Sequence, residues 1–570
     1  MDDVATVAGH DHGPLHPQVS LRSPDTVMRL DRMGAFFPTR LSFMRVLLRR
    51  LSHEESVVRR VVWEMDDNGY GHAVYSVDLG GHTYSLVAFA LPLSEDQRTD
   101  RVIAEAWDSS FVLFDGVPDA TDIVRLQANA PMQEAGRFDG RDLILSRANK
   151  SVRLFNHVVE ALATGRQPDS EMLGTIGYLM RTTAVYGNGK FGIADRQAIS
   201  GRPGLTEPFQ AEMLIVWLIR GFTIDLVEHI ARARCPVMFV PMERILKRHI
   251  GVGNATGLGM APFLVSHPIL LNNWMMVRET ALARVRAIDE IGQPKIDAAI
   301  RLISRVTRHL RQWNVEDERQ MQRISLLRDE WQEFSSALTH EQFSKSDAWE
   351  EIFQASQVYS LECQELVVAL MLEVNGDLVD GLTDCLSSEI VPRLEPAMQL
   401  AELKRVLAQA FDWALRFDFE QESELHQFWY VSEEKLEPRL GERFEEPGSE
   451  RESPLDIARQ AQALNDDLDG ADDCECVASF VMRHPQHRHI VRRVQVADRY
   501  PYSEIRENLL ANSCLPIDML RCKLSFFGAS KFDPKSDLWT RITMYQGAPL
   551  LDELDKPIVD DWWLPTLEID

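Results

Sequence analysis

Residues 211–231 read AEMLIVWLIRGFTIDLVEHIA, the most apolar helical stretch of the chain, and Arg220, Asp225 and Glu228 interrupt it. A membrane span would leave those charges in hydrocarbon, which is costly enough to exclude one. The stretch therefore predicts a buried core helix, and the fold is read outward from it.

On its C-terminal side, and for some distance before it, the pattern stays helical. RANKSVRLFNHVVEALATG (147–165) ends at Gly165, where a glycine just past a helix is expected, and SEMLGTIGYLMRTTAVYGNG (170–189) ends in a glycine pair. Three long helices are expected to begin near Pro268, Ile296 and Asp347. The third contains LVVALMLEV, apolar on all sides, which places it in the middle of a bundle.

Before residue 141 the pattern changes. VVRRVVWEM, HAVYSVDL, TYSLVAFAL and SSFVLFDG are short and rich in β-branched and aromatic residues, and RLSFMRVLLRRL has helical spacing. VDLGGHTY sets Gly80-Gly81 between two alternating runs, a hairpin signal. The expected fold is thus mainly α, a large helical domain with a small N-terminal α+β domain on an antiparallel sheet. The boundaries read as a disordered tail at 1–24, the α+β domain at 25–140, the helical domain at 141–432, an acidic linker at 433–475 and a basic α+β segment at 476–570.

The 570 residues carry a net charge of -26, with 45% hydrophobic and 26% charged residues. That balance fits a soluble globular protein and opposes binding to nucleic acid or to an anionic membrane. The opening MDDVATVAGHDHGPLHPQ has no apolar run, so no signal peptide is expected. Seven scattered cysteines do not make a disulfide framework, and reduced thiols in a cytoplasmic protein follow.

The chemistry concentrates in GVGNATGLGMAPFLVSHPILLNNWM (251–275), preceded by ERILKRHI. Glycines let a ligand approach bare backbone, and a glycine loop that opens a helix presents unsatisfied N–H groups to an anion. Gly251, Gly253, Asn254, Thr256 and Gly257 would form that loop, with Arg244, Lys247 and Arg248 neutralising charge. No Walker-type ending or preceding strand supports a nucleotide fingerprint. A second reading has the glycines merely letting two helices cross closely. Ser266-His267-Pro268 reads as a helix start, with His267 directed at the loop and Asn272 or Asn273 turned inward to orient a substrate. Arg278 and Glu279 would complete a polar lining. YGNGKFGIADR (186–196) offers Asn188 and Lys190 on a similar turn between Gly187 and Gly192, with Lys190 as acid or base.

His484, His487 and His489 stand among Arg483, Arg488, Arg492 and Arg493, whose charges would repel a cation unless carboxylates intervene, so no metal site is expected. His157 with Glu160, and Asp225 with His229, share helical faces but fall short of a di-metal pattern. No cofactor motif is legible.

These residues point to a cytoplasmic enzyme of small-molecule metabolism, a lyase or other proton-transfer catalyst acting on an anionic substrate and assembled as a homodimer. The alternatives are a non-catalytic helical scaffold or regulatory protein, and a metal-dependent oxidase in the helical bundle.

Overall fold

A computed structural model describes residues 20–569 except 35–40, 95, 98–105, 131–138, 183–198, 200, 208, 258–266, 316–317, 387–392, 421–427, 432–437, 442–450, 453–456, 535–538, 545–565 and scattered positions between 510 and 524. The expected hairpins form: β1 (Val57–Met65), β2 (Gly71–Leu79), β3 (His82–Ala90), β4 (Ser109–Asp115) and β5 (Asp142–Lys150) make an antiparallel meander. Leu79 pairs with His82, so Gly80 and Gly81 are the whole β2–β3 loop, both at positive φ (61° and 74°). That is the geometry a two-residue hairpin turn demands and glycine supplies.

The sheet does not stop there, and this overturns the expected fold class. β6 (Tyr178–Thr182) and β7 (Gly251–Gly257) come from the segment read as helical, and β11 (Ala529–Pro534), β12 (Trp539–Met544) and β13 (Thr566–Ile569) come from the C-terminal one. Among the described residues, ten strands run β11-β12-β7-β6-β5-β4-β3-β2-β1-β13 in a single sheet. The expected boundaries at 140 and 475 thus do not bound it. A separate three-stranded sheet, β10-β8-β9, joins β8 (Phe428–Val431), β9 (Pro438–Gly441) and β10 (Arg451–Glu452).

Two misread signals explain the difference. The segment 170–189 is a short helix, Ser170–Ile176, that ends at Gly177 in the left-handed conformation, after which the chain extends into β6. RANK, at the head of 147–165, is the end of β5, and the helix there runs only over Phe155–Ala163.

The central helix, Gln210–Arg234, lies on one face of the sheet, where Tyr75 and Phe111 each meet Phe222 edge-on with ring centroids 6.3 and 5.6 Å apart. It also forms part of the crossover between the parallel neighbours β6 and β7, which a hairpin cannot join. Arg220, Asp225 and Glu228, the charges that interrupt its apolar run, each have a partner. The Arg220 guanidinium donates to the carbonyls of Ile250 and Lys247, at the end of the Arg244–His249 helix, where the helix dipole favours a cation. Asp225 accepts from Tyr75 Oη at 2.7 Å, and Glu228 pairs with Lys247 at 2.7 Å.

Beyond the sheet, the helices Pro268–Arg286, Gln293–Gln312, Glu318–Ser336, Ala348–Ser356 and Leu361–Val374 complete the larger core. Leu361–Val374 is buried on every side from Cys363 to Leu372, as its composition predicts. A second, smaller core gathers Leu400–Ala410, Ile457–Leu468, Val477–Arg483 and Arg488–Arg499. Among the described residues no helix is long and apolar enough to cross a membrane.

Candidate functional site

The residues expected to bind an anion do not assemble as a loop. Gly251–Gly257 is strand β7, paired in parallel with β6 and antiparallel with β12. Its backbone is laddered to β12 from Val252 to Gly257 and to β6 from Gly251 to Asn254, and an extended strand does not present the cluster of bare N–H groups that a helix start offers. Gly253 is needed for closeness: a Cβ there would lie 2.5 Å from the Tyr178 ring. Asn254, Thr256 and Gly257 sit opposite Ile542, Thr540 and Trp539.

The surrounding candidates disperse as well. Lys247 is spent on Glu228, Arg244 is exposed, and Arg248 is half-buried. His267 caps the Pro268–Arg286 helix through its backbone only, and its ring meets Phe209 edge-on at 6.1 Å. Asn272 is buried, accepts from the Tyr502 amide at 3.0 Å and donates to Asn273 Oδ1 at 3.2 Å. Both amides thus have structural work, the first fastening the chain near residue 502 to this helix. Asn188 and Lys190 lie outside the described residues.

What the Asn272 helix does assemble is a charge cluster. Arg22 donates bidentately to Glu279, at 2.8 Å to each oxygen, and reaches Glu365 at 2.7 Å. Arg32 meets Glu365 at 3.1 Å, and Arg278 contacts both glutamates. All five side chains are at most 11% exposed. Burial alone would raise the Glu365 carboxyl, but the guanidiniums of Arg22 and Arg278 prevail and hold it at about 2. A carboxylate so low and guanidiniums that never deprotonate cannot exchange protons near neutrality. The cluster is a clamp. It also places Arg22 within ordered structure, inside the tail expected to be disordered to residue 24. Sequence reading found Arg278 and Glu279 but not Arg22, Arg32 or Glu365, which lie far away along the chain.

A second cluster surrounds Asp225. Tyr75 Oη donates to it, Arg60 Nη1 lies 3.4 Å away, and burial raises both the Asp225 carboxyl and the Tyr75 phenol. His229, on the same helical face, binds elsewhere: Nδ1 accepts from Trp63 Nε1 at 3.3 Å and Nε2 donates to the Asp66 carbonyl at 2.8 Å. His157 likewise serves the amide of Asp169 at 3.4 Å. Neither pair supplies the joint ligands of a di-metal bundle.

A third cluster lies in the smaller core. Asp467, late in the Ile457–Leu468 helix, receives His487 Nε2 at 2.7 Å and His484 Nδ1 at 3.2 Å, and the three ligand atoms lie within 4.8 Å of one another. Hydrogen bonding to His487 keeps the Asp467 carboxyl below the usual carboxylate range. Of the three histidines singled out in the sequence, His489 does not join them. Local desolvation, with Arg493 and Arg492 beside it, lowers the imidazole of His489 although much of the residue is exposed. Compared with protein-family models, with curated proteins and with solved structures, the chain matches none.

Proposed function

We propose that this protein acts as a non-catalytic scaffold or regulatory protein rather than as an enzyme of anionic metabolites. One observation carries the reading: the segment richest in ligand-binding residue types, Gly251–Gly257, is an inner strand paired with β12 from Val252 to Gly257 and with β6 from Gly251 to Asn254. Groups that an anion site would use are turned to fastening, with Lys247 held by Glu228 and Asn272 by the Tyr502 amide. All seven cysteines are free thiols, which supports work in the reducing cytoplasm.

A thermal-shift screen of phosphate- and carboxylate-bearing metabolites tests this, since a ligand specific to the native state raises the melting temperature by mass action. No saturable shift is expected. A saturable shift abolished by His267→Ala or Lys190→Ala, in variants that keep the wild-type melting temperature without ligand, would restore the enzyme reading.

A further inference from the structure

We propose that Asp467, His484 and His487 form a binding site for a divalent transition-metal ion of the zinc class. The local sequence builds the site. The Val477–Arg483 helix stops at His484, and Pro485 starts a single 3-10 turn, Pro485–His487. Residues three apart on such a turn lie nearly above one another, so both imidazoles face the same way, with centroids 6.1 Å apart and planes 26° from parallel. Phe480 stacks on His484 at 4.7 Å and also flanks His487 at 6.1 Å, an apolar backing behind the rings. From the facing helix, Asp467 supplies the carboxylate.

The donor set and its reach suit such an ion. Ligands about 2.0–2.2 Å from a tetrahedral centre sit roughly 3.4 Å apart. The two nitrogens now lie 2.7 and 3.2 Å from Asp467 Oδ2, so small side-chain rotations open the space. Two imidazoles with one carboxylate favour zinc, cobalt or nickel over magnesium or calcium. Three protein ligands also leave a coordination position for water or a further ligand. Exposure rises from 6% at His487 to 32% at His484 and 41% at Asp467, which gives the ion a route in from solvent.

Of the four nearby arginines that argue against a cation in the sequence, Arg483 and Arg493 are met by carboxylates in the structure. Arg483 bonds Glu475 at 2.6 Å, and Arg493 is bidentate to the buried Glu504. Binding exchanges the contacts between Asp467 and the two imidazoles for coordinate bonds, with the nitrogens aimed at Asp467 giving up any proton they carry.

Calorimetric titration of the chelator-treated full chain with zinc chloride tests the site, beside Asp467→Asn and His484→Gln, two substitutions at the more exposed positions. One ion per chain is expected, with affinity falling more than about tenfold in each variant while circular dichroism and metal-free melting stay unchanged. Cobalt loading should give visible d–d bands without thiolate charge-transfer absorption. The proposal is overturned if stoichiometric uptake is absent or if both variants bind zinc as the wild type does. Thiolate bands would overturn it too, by moving the ion to Cys474 and Cys476.

Discussion

In the larger core, Arg22, Arg32 and Arg278 meet Glu279 and Glu365 almost sealed from solvent, whereas in the smaller core Asp467, His484 and His487 meet at a rim that water reaches. Both clusters join segments that are distant or on different helices, and both are rich in charge. They differ in what remains available. Guanidinium and carboxylate in closed, bidentate contact satisfy one another and hold their charges across the physiological range. Imidazole keeps a lone pair that a metal can take, and a half-exposed carboxylate can turn to meet it. Chemical variety in the sequence is therefore a poor guide to a site unless the groups are left something to do.

The sharpest way to break this contrast is Glu365→Gln, which leaves three buried guanidiniums facing one carboxylate. A loss of about 3–5 kcal/mol in denaturant unfolding is expected. A loss near zero would mean that the cluster is not a clamp. Because the Glu365 carboxyl is held at about 2 against an ordinary 4.5, its contribution is complete above pH 4.5. It is lost as pH falls through about 2, and the variant should lack that acid-side loss.

Zinc sharpens the other half. At a hundredfold excess over Kd it should stabilise the smaller core by about 2.7 kcal/mol. In hydrogen exchange, protection should rise in Ile457–Leu468 and Arg488–Arg499 and stay level in Gln210–Arg234. Equal gains in both cores would erase the distinction between them.

Gly253→Ala tests whether β7 is held by close packing. Its new methyl meets the Tyr178 ring, and overpacking of about 1–3 kcal/mol is expected. Combining it with Tyr178→Ala should cost less than the two single changes together. A pH-dependent effect belongs to Glu507, which burial, with Asp31 nearby, pushes from 4.5 up to about 7. A raised carboxyl favours the fold fully below pH 4.5 and loses that contribution as pH rises through about 7. Glu507→Gln should flatten the pH dependence of the melting temperature between those limits.

The sequence was legible where structure is local. The β2–β3 hairpin follows from alternation and a glycine pair, and the helix from 210 to 234 follows from apolar length. β7 was not legible, because GVGNATG has little strand propensity and takes its conformation from β6 and β12 on either side. β6 was hidden because Gly177 ends one element and the apolar run continues into the next. The site in the smaller core was half visible. His484 and His487 stand out by spacing, but Glu504, which neutralises Arg493, and Asp467, which completes the triad, join them only through tertiary folding.

The pairing of β1 with β13 joins strands at opposite ends of the described chain, and β7 reaches its outer neighbour only when β12 exists. A chain emerging from the ribosome thus carries two bare strand edges through most of its synthesis. Such edges recruit other strands, and long-range pairing slows folding. Without β12 and β13, the outer edges of β7 and β1 are open to pairing with other strands.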